Sequence, residues 1–359
     1  MLKSLRNKWV IYGSGFMHVL LHSPDIKNRK LLIVQMDSLG DVCTLIPSVY
    51  PLASQYQLSV VCKKGLEDVW KEFLPMVEVH PVQEKVWSVR KLRTQYPELF
   101  QMEFEAVVDA TSSSFSALFS SHIKAGRRIG MVEGNEYFKG SRLLYDKLFR
   151  FSINEHVTRR FPEMFRQITG ERYRPVNPPV RSFSSNSNVI LIHPGAKWKP
   201  RRWPVDRYME VARQAVSRWG VSCEFLINES EDDLRQYVQE HNHDDRISVR
   251  LTRNASDLLD SVRSCAMLVG NDSGPVHLGN LMNKETVVLW GPGNYKRIRP
   301  IGDNVVVLKH EIDCRPCRQY RRGDQCERGE NFCLQSIDVE EVVSAIGEKF
   351  RKKAMADQP

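Results

Sequence analysis

"LLIVQMDSLGDVCTLIPSVYPL", residues 31–52, sets an apolar run against a Gly-Asp pair and then resumes an apolar rhythm. Residues 31–36 are rich in β-forming side chains, and Val42 to Gln55 reads as largely helical despite Pro47 and Pro51. "YQLSVVCKK" (56–64) and "EAVVDA" (105–110) supply two further strands. A strand, a helix and a strand within about 30 residues make a βαβ unit, which predicts a parallel sheet. The carboxylate of Asp41 then falls where a buried strand gives way to a helix. Two readings of it stand: a cap on the helix N-terminus, or a general base within hydrogen-bond reach of the proton it removes.

Outward from this unit, "FSALFSSHIKAG" (115–126) reads as a helix and "RRIGM" (127–131) as the start of a less regular, basic region. "RYRPVNPPVRSFSSNSN" (172–188) is rich in Pro, Ser and Asn with almost no apolar periodicity, the signature of a linker. After it the α/β pattern restarts. "VILIHPGA" (189–196) is a strand entering a turn, "VDRYMEVARQAVSRWG" (205–220) an amphipathic helix ended by Gly220, and "VSCEFLIN" (221–228) a strand. "SDLLDSVRSC" (256–265) is a helix with a serine N-cap, followed by the strands "AMLVGN" (266–271) and "ETVVLWGP" (285–292). The expected organisation is an N-terminal extension (1–29), a first α/β half (30–171), a linker (172–188) and a second half (189–345) that carries a four-cysteine segment (314–333). Two such halves place a ligand site in the cleft between them, at the carboxyl ends of the strands.

The 359 residues suffice for two such domains, and 42% hydrophobic with 26% charged residues is the composition of a folded globular protein. A formal charge of +9 points to an anionic partner without naming one. No long uncharged apolar window predicts a spanning helix, and Gly13, Ser14 and Gly15 interrupt the apolar stretch of the leader, unlike a secretory signal. The leader is expected to pack on its own domain or a partner subunit, to touch a membrane surface, or to trail.

Four loops at strand ends carry the chemistry. The first holds Gly40 and Asp41. The second, "HPGAKWKPRRWP" (193–204), crowds Lys197, Lys199, Arg201 and Arg202 near Gly195, which suits a phosphate; it lacks the Gly-Lys-Ser/Thr ending of a Walker A loop. The third, "NESEDDL" (228–234), offers Glu229 or Glu231 to a ribose diol. The fourth, "GNDSGPVHLGNLM" (270–282), offers Asp272 to sugar hydroxyls and the amides of Ser273 and Gly274 to a phosphate, with His277 a further ionisable candidate.

In order and spacing, "SLGDV", "HPGAKWKPRRWP", "NDSGPVHLGNLM" and "VVLWGPGNYKRIRP" resemble the family of the lipopolysaccharide core heptosyltransferases, over roughly residues 30 to 345. The resemblance implies a GT-B fold: an α/β architecture of two facing Rossmann-like domains with parallel sheets, and a C-terminal helix often crossing back to the first. It implies metal-independent, inverting transfer of a heptose from ADP-heptose to a hydroxyl of a bacterial glycan, in a cytoplasmic setting. Under it Asp41 is the catalytic base and Arg201, standing where the family has a lysine, a diphosphate ligand. Asp272 with Ser273 and Gly274 then contacts sugar and phosphate. One of Glu229 and Glu231 holds the ribose. The acceptor is expected to be an anionic glycolipid or glycan, with peripheral membrane contact.

Cys314, Cys317, Cys326 and Cys333 have a spacing that suits four-thiolate zinc or iron, disulfides or free thiols, and cysteine-rich tails of this family include iron-binding ones. Disulfides conflict with a cytoplasmic setting. Cys43, Cys62, Cys223 and Cys265 read as reduced core residues. Other readings remain open: another nucleotide sugar, a protein acceptor, a non-catalytic sugar-nucleotide binder, or a nucleic-acid binder built on the basic knuckle "CRPCRQYRRGDQC". Charge clustered in the cleft loop weighs against nucleic acid.

Overall fold

The computed structural model describes residues 29–83, 88–133, 141–170, 173–180, 188–317, 326 and 328–356. Expectations for the leader, for part of the linker and for the basic residues between Cys317 and Cys326 therefore lie outside the described residues.

The first half runs β1 (Lys30–Gln35), α1 (Leu39–Val49), β2 (Gln57–Lys63), α2 (Glu67–Phe73), β3 (Glu78–Val82), α3 (Val89–Gln95), α4 (Pro97–Gln101) and β4 (Glu103–Asp109). It continues with α5 (Ser114–Ser121), β5 (Lys124–Glu133), β6 (Lys147–Phe151) and α6 (Val157–Thr169). The second half runs β7 (Val189–His193), α7 (Val205–Trp219), β8 (Ser222–Asn228), α8 (Asp232–His241), β9 (Ile247–Thr252), α9 (Ala255–Ser264) and β10 (Met267–Asn271). It ends with α10 (Gly274–Leu281), β11 (Glu285–Leu289), α11 (Tyr295–Ile298), β12 (Val305–Leu308), α12 (Phe332–Gln335) and α13 (Val339–Ala356).

Each half builds one parallel sheet. The strand orders are β3-β2-β1-β4-β5-β6 and β12-β11-β10-β7-β8-β9. Numbered within its own half, each sheet has the order 3-2-1-4-5-6 of a doubly wound dinucleotide fold. The order reverses between β1 and β4 in one sheet and between β7 and β10 in the other. Two parallel strands there diverge to helices on opposite faces, which opens a crevice above their carboxyl ends.

Alternation along the strands builds the cores. Leu32 and Val34 face a cluster with Val61, Val107 and Phe119, while Leu31 and Ile33 face the opposite way, toward α1, α2 and α6. That second layer continues into the other half through Val276, Leu278, Leu259, Val262 and Trp290. One apolar cluster thus runs through both halves, with α1 against α10 and α2 against α9. The remaining face of the second sheet, Ile190 and Ile192 outward, packs under α7 and α13. Cys43, Cys62, Cys223 and Cys265 are buried in these cores.

Four sequence expectations are corrected or refined here. The helix at 115–126 stops at Ser121, and the basic stretch after it is the ten-residue strand β5. Its arginines hid the strand, and they are used locally: Arg128 donates to the carbonyls of Ser120 and Ile123 at the end of α5, and Arg127 to that of Gln167. The first helix is shorter than expected, giving way after Val49 to a 3-10 turn over Tyr50–Ser54 that begins just before Pro51. The cap of α9 is Asn254, whose side chain accepts from the Asp257 amide, rather than Ser256. The C-terminal helix α13 extends to Ala356 and packs on α7, β11 and β12, all in its own half, instead of crossing back.

Candidate active site

The β1–α1 turn is held to the end of β4. The Met36 amide donates to Thr111 Oγ1 at 2.8 Å, the Asp37 amide to Gln35 Oε1 at 3.0 Å, and Gln35 Nε2 to the Ala110 carbonyl at 3.4 Å. Asp41 sits in the first turn of α1. Its Oδ2 accepts from the Ser38 amide at 3.2 Å and the Ser38 hydroxyl at 2.7 Å. The capping role is therefore real, and the same bonds fix the carboxylate's position at the mouth of the cleft. Nearby, Asp109 is fully buried and accepts from Tyr145 Oη at 2.6 Å; burial raises its pKa. Asp37 is pushed up to about 8, first by burial and then by the charges of Asp41 and Asp109, so at neutral pH it holds its proton.

On the other side of the cleft the loops after β7 and β10 are joined by Asn271. Its Nδ2 donates to the carbonyls of Pro194 (2.8 Å) and Gly195 (3.3 Å), and its Oδ1 accepts from the Trp203 amide and Tyr208 Oη, both at 3.0 Å. This fully buried amide, every bonding capacity engaged, sets the two loops in one register. Arg201, on the 3-10 turn Lys199–Arg201, reaches Asp272 through Nη1, 3.3 Å from the carbonyl and 3.4 Å from Oδ2. Asp272 and His277 are both nearly inaccessible, with His277 Nε2 4.0 Å from Asp272 Oδ1. Glycine at 293 is required here, because a Cβ would lie 2.3 Å from Asp272 Oδ2.

The two acidic candidates after β8 separate cleanly. Glu229 is exposed, whereas Glu231 is 7% exposed and bends back over the β7 loop. Its Oε1 accepts from Arg202 Nη2 at 3.2 Å and its Oε2 from the Asn228 amide at 3.2 Å. Gly195 makes room for it: a Cβ there would come 2.2 Å from Glu231 Oε1. Lys197 is exposed, while Gly195 is buried beside Glu231. Ser273 and Gly274 open α10, with Ser273 in extended conformation as its N-cap.

The turn carrying Asp41 and the loop carrying Asp272 meet across the cleft. A Cβ on Gly40 would approach His277 Cδ2 to 3.0 Å, and one on Gly274 would approach Leu39 to 2.9 Å. Two glycines thus let the N-terminal ends of α1 and α10 come together. These contacts bring the Asp41 turn against His277 and the start of α10 and tie Arg201 to Asp272, while Gly195, Glu231 and Arg202 form a second touching group and Glu229 and Lys197 are exposed. Asn271 had no role in the sequence reading. Its position directly before Asp272 was visible, but partners 68 and 77 residues away were not.

A sequence model of glycosyltransferase family 9 (heptosyltransferase) matches residues 93–326. The chain belongs to glycosyltransferase family 9. It is 23% identical over 314 residues to lipooligosaccharide heptosyltransferase 2 of Campylobacter jejuni O:2, covering 85% of this chain and 93% of that protein. With the same-named proteins of Haemophilus influenzae and a second C. jejuni strain, the match spans about half of the relative's length (48% and 53%). Its fold is that of E. coli heptosyltransferase WaaC with ADP, with a TM-score of 0.72 at 16% identity, covering 89% of this chain and 99% of that one. It is also similar to the iron-containing dodecameric glycosyltransferase TibC of enterotoxigenic E. coli, with a TM-score of 0.56 at 12% identity over 90% and 77% of the two chains.

Within this family 9 chain the four tail cysteines line one small cavity, together with Pro200, Pro292, Ile312, Arg315 and Asn331. The cavity abuts the loop after β7: Asn331 Nδ2 donates to the carbonyls of Pro200 and Arg202. Burial pushes the Cys333 thiol up to about 11, against the pull of Arg315. Among the described residues, however, no three His, Cys, Asp or Glu side chains converge as metal ligands. The expected four-thiolate centre is therefore not assembled by the side chains as they stand. Nor does any helix among the described residues have the length and apolarity to cross a membrane.

Proposed function

We propose that this chain transfers a heptose from ADP-heptose to a hydroxyl of a lipopolysaccharide core or related bacterial glycan, with inversion. The observation that carries this reading is the meeting of two strand-end loops at the switch points of two sheets: the carboxylate of Asp41 on one side, Asp272 and the α10 amides on the other. Family membership and the ADP-containing structural relative support the donor.

In this mechanism Asp41 takes the proton of the acceptor hydroxyl as its oxygen attacks the anomeric carbon. The bond from that carbon to the diphosphate breaks, and ADP departs with the electron pair. Arg201 and the amides of Ser273 and Gly274, at the start of α10, meet the charge that develops on the diphosphate. For Arg201 this means exchanging its contact with Asp272 for the phosphate, which leaves Asp272 to the sugar hydroxyls. Glu231, held by Arg202, is the ribose ligand in preference to Glu229, a reading supported by its burial against the β7 loop while Glu229 is exposed. His277 closes the sugar end beside Asp272. Packing of the two halves against each other excludes water, which otherwise turns transfer into hydrolysis.

Residues 30–171 and 189–345 form the acceptor-side and donor-side domains in this reading. The enzyme works in the cytoplasm, peripheral to the inner face of the membrane, where an anionic glycolipid meets its +9 charge. The four thiols share one cavity without converging as ligands, so a structural zinc or iron outside the chemistry would require them to close in on it. Elemental analysis of the purified chain tests that role: one zinc or iron per chain is expected, and four freely titrating thiols with no metal would overturn it.

Calorimetric titration with ADP-heptose, ADP, UDP-hexoses, GDP-mannose and CMP-sialic acid tests the function. Heat with ADP-heptose and ADP alone is the expected result. Selective binding of another nucleotide sugar would reassign the donor, and silence across the panel would remove the nucleotide-sugar reading altogether.

A further inference from the structure

Resting on the transferase reading above, we propose that Arg297 is a positioning residue for transfer, reaching from the donor-side half to Glu133 of the other half and standing as counter-charge to the carboxylates around Asp41. Arg297 lies on α11, in a stretch that the site as described leaves without a role. Its Nε is 2.5 Å from Glu133 Oε1, and the same oxygen accepts from Arg160 Nη2 at 3.1 Å. Arg160 is 1% exposed and is further fixed by the carbonyls of Ser152 and Glu155, so Glu133 is a rigid anchor rather than a surface partner.

The contact is one of three along a single short stretch. Asn294 Nδ2 donates to the Ile153 carbonyl at 2.9 Å, and His156 Nε2 bonds the Arg299 carbonyl at 2.8 Å. Residues 294–299 therefore clasp the 151–160 region of the other half, and Arg297 carries a charge across to Glu133. The groups that face this point come from every surrounding element. Asp37 and Asp41 lie on the β1–α1 turn, Asp109 at the end of β4, Glu133 at the end of β5 and Arg160 on α6. From the other half come Arg297 on α11 and Arg299 just beyond it, with the His156 ring of the first half against the Arg299 carbonyl.

Four carboxyl groups thus crowd the acceptor side, and Arg297 is a cation acting on Asp37, Asp41 and Glu133 together. An attractive charge near a carboxyl group lowers its proton affinity, and a neighbouring carboxylate raises it. Because the guanidinium belongs to the opposite half, this balance exists only when the halves are together. Cleft closure and readiness of the carboxylate cluster are coupled through one side chain.

The experiment compares full-length wild type with Arg297→Gln, Arg297→Lys and Glu133→Gln. Release of ADP from ADP-heptose is followed against pH with heptose-deficient lipopolysaccharide as acceptor, and ADP affinity is measured by calorimetry. Arg297→Gln is expected to lower kcat about tenfold by misplacing the cluster, with ADP affinity unchanged. The acidic inflection of its rate profile should move up by about one pH unit, since an attractive charge has gone. Glu133→Gln should move the inflection down, since a repulsive charge has gone, although it breaks the same clasp. Arg297→Lys should keep the inflection near that of wild type while recovering only part of kcat. A clasp with a purely structural role would slow both Gln variants without moving their inflections in opposite directions, and that result overturns the proposal. So does wild-type behaviour of Arg297→Gln, which tests the idea alone if Glu133→Gln does not fold. A wild-type protein that neither binds ADP nor releases it would instead defeat the transferase reading first, and the proposal with it.

Discussion

Asp41 answers to two physical demands at once. Its Oδ2 satisfies the Ser38 amide and hydroxyl at the start of α1, and the same carboxylate is the base in the proposed reaction. A substitution that keeps the cap and removes the basicity separates these demands. Asp41→Asn retains an acceptor oxygen for Ser38 and is expected to lower kcat roughly a hundredfold or more, with ADP affinity and melting temperature nearly unchanged. Asp41→Ala should lose turnover equally and also cost about 1 kcal/mol of stability through the lost cap; calorimetry and thermal melts on the pair check this. Asp37 gives a second test. Its folded pKa, about 8, lies above its unfolded value, so the charge it acquires on unfolding favours the unfolded state once pH exceeds the ordinary carboxylate range. Asp37→Asn should therefore raise the melting temperature by a few degrees near pH 8 and leave it unchanged below about pH 4.

At the scale of elements, the strand-end loops of the second half depend on glycines that admit neighbouring side chains. Gly195 lies between β7 and the 3-10 turn, and its missing Cβ is the space that the Glu231 carboxylate occupies. Gly195→Ala is expected to push Glu231 off Arg202 and weaken ADP binding about tenfold, at a stability cost of about 1–3 kcal/mol for overpacking. A calorimetric affinity equal to that of wild type would remove Glu231 from the nucleotide site. How elements form was legible where one force dominates. β1, β7 and β10 are buried strands whose apolar runs announce them, and Gly220 ends α7 in the left-handed conformation that its φ of 64° requires. β5 was hidden because Arg127 and Arg128 spend their charge on backbone carbonyls, a use invisible without the fold.

At the scale of the molecule, the two halves are joined by apolar packing of α1 on α10 and α2 on α9, with the Arg263–Glu72 pair at 2.8 Å beside the second contact. His156 lies in this joint, and burial holds its pKa down at about 4. The unfolded chain then binds a proton that the folded one refuses as pH falls between about 6.5 and 4. Stability should decline through that window by roughly 3 kcal/mol. Thermal melts across that window should show the slope, and His156→Gln should flatten it. An unchanged slope in the variant would assign the acid sensitivity to other groups.

The sequence by itself determined the alternation of strands and helices, the break between two α/β halves, and the four strand-end loops that hold the candidate site residues. Each follows from local periodicity, turn residues and charge, which are properties of neighbours in the chain. Tertiary structure alone buried Glu231 while leaving Glu229 exposed, gave Asn271 its partners, brought the cysteines to one cavity and set Arg297 against Glu133. Those outcomes depend on burial and on partners far apart in sequence, and only the folded packing of elements within and between the two halves supplies them.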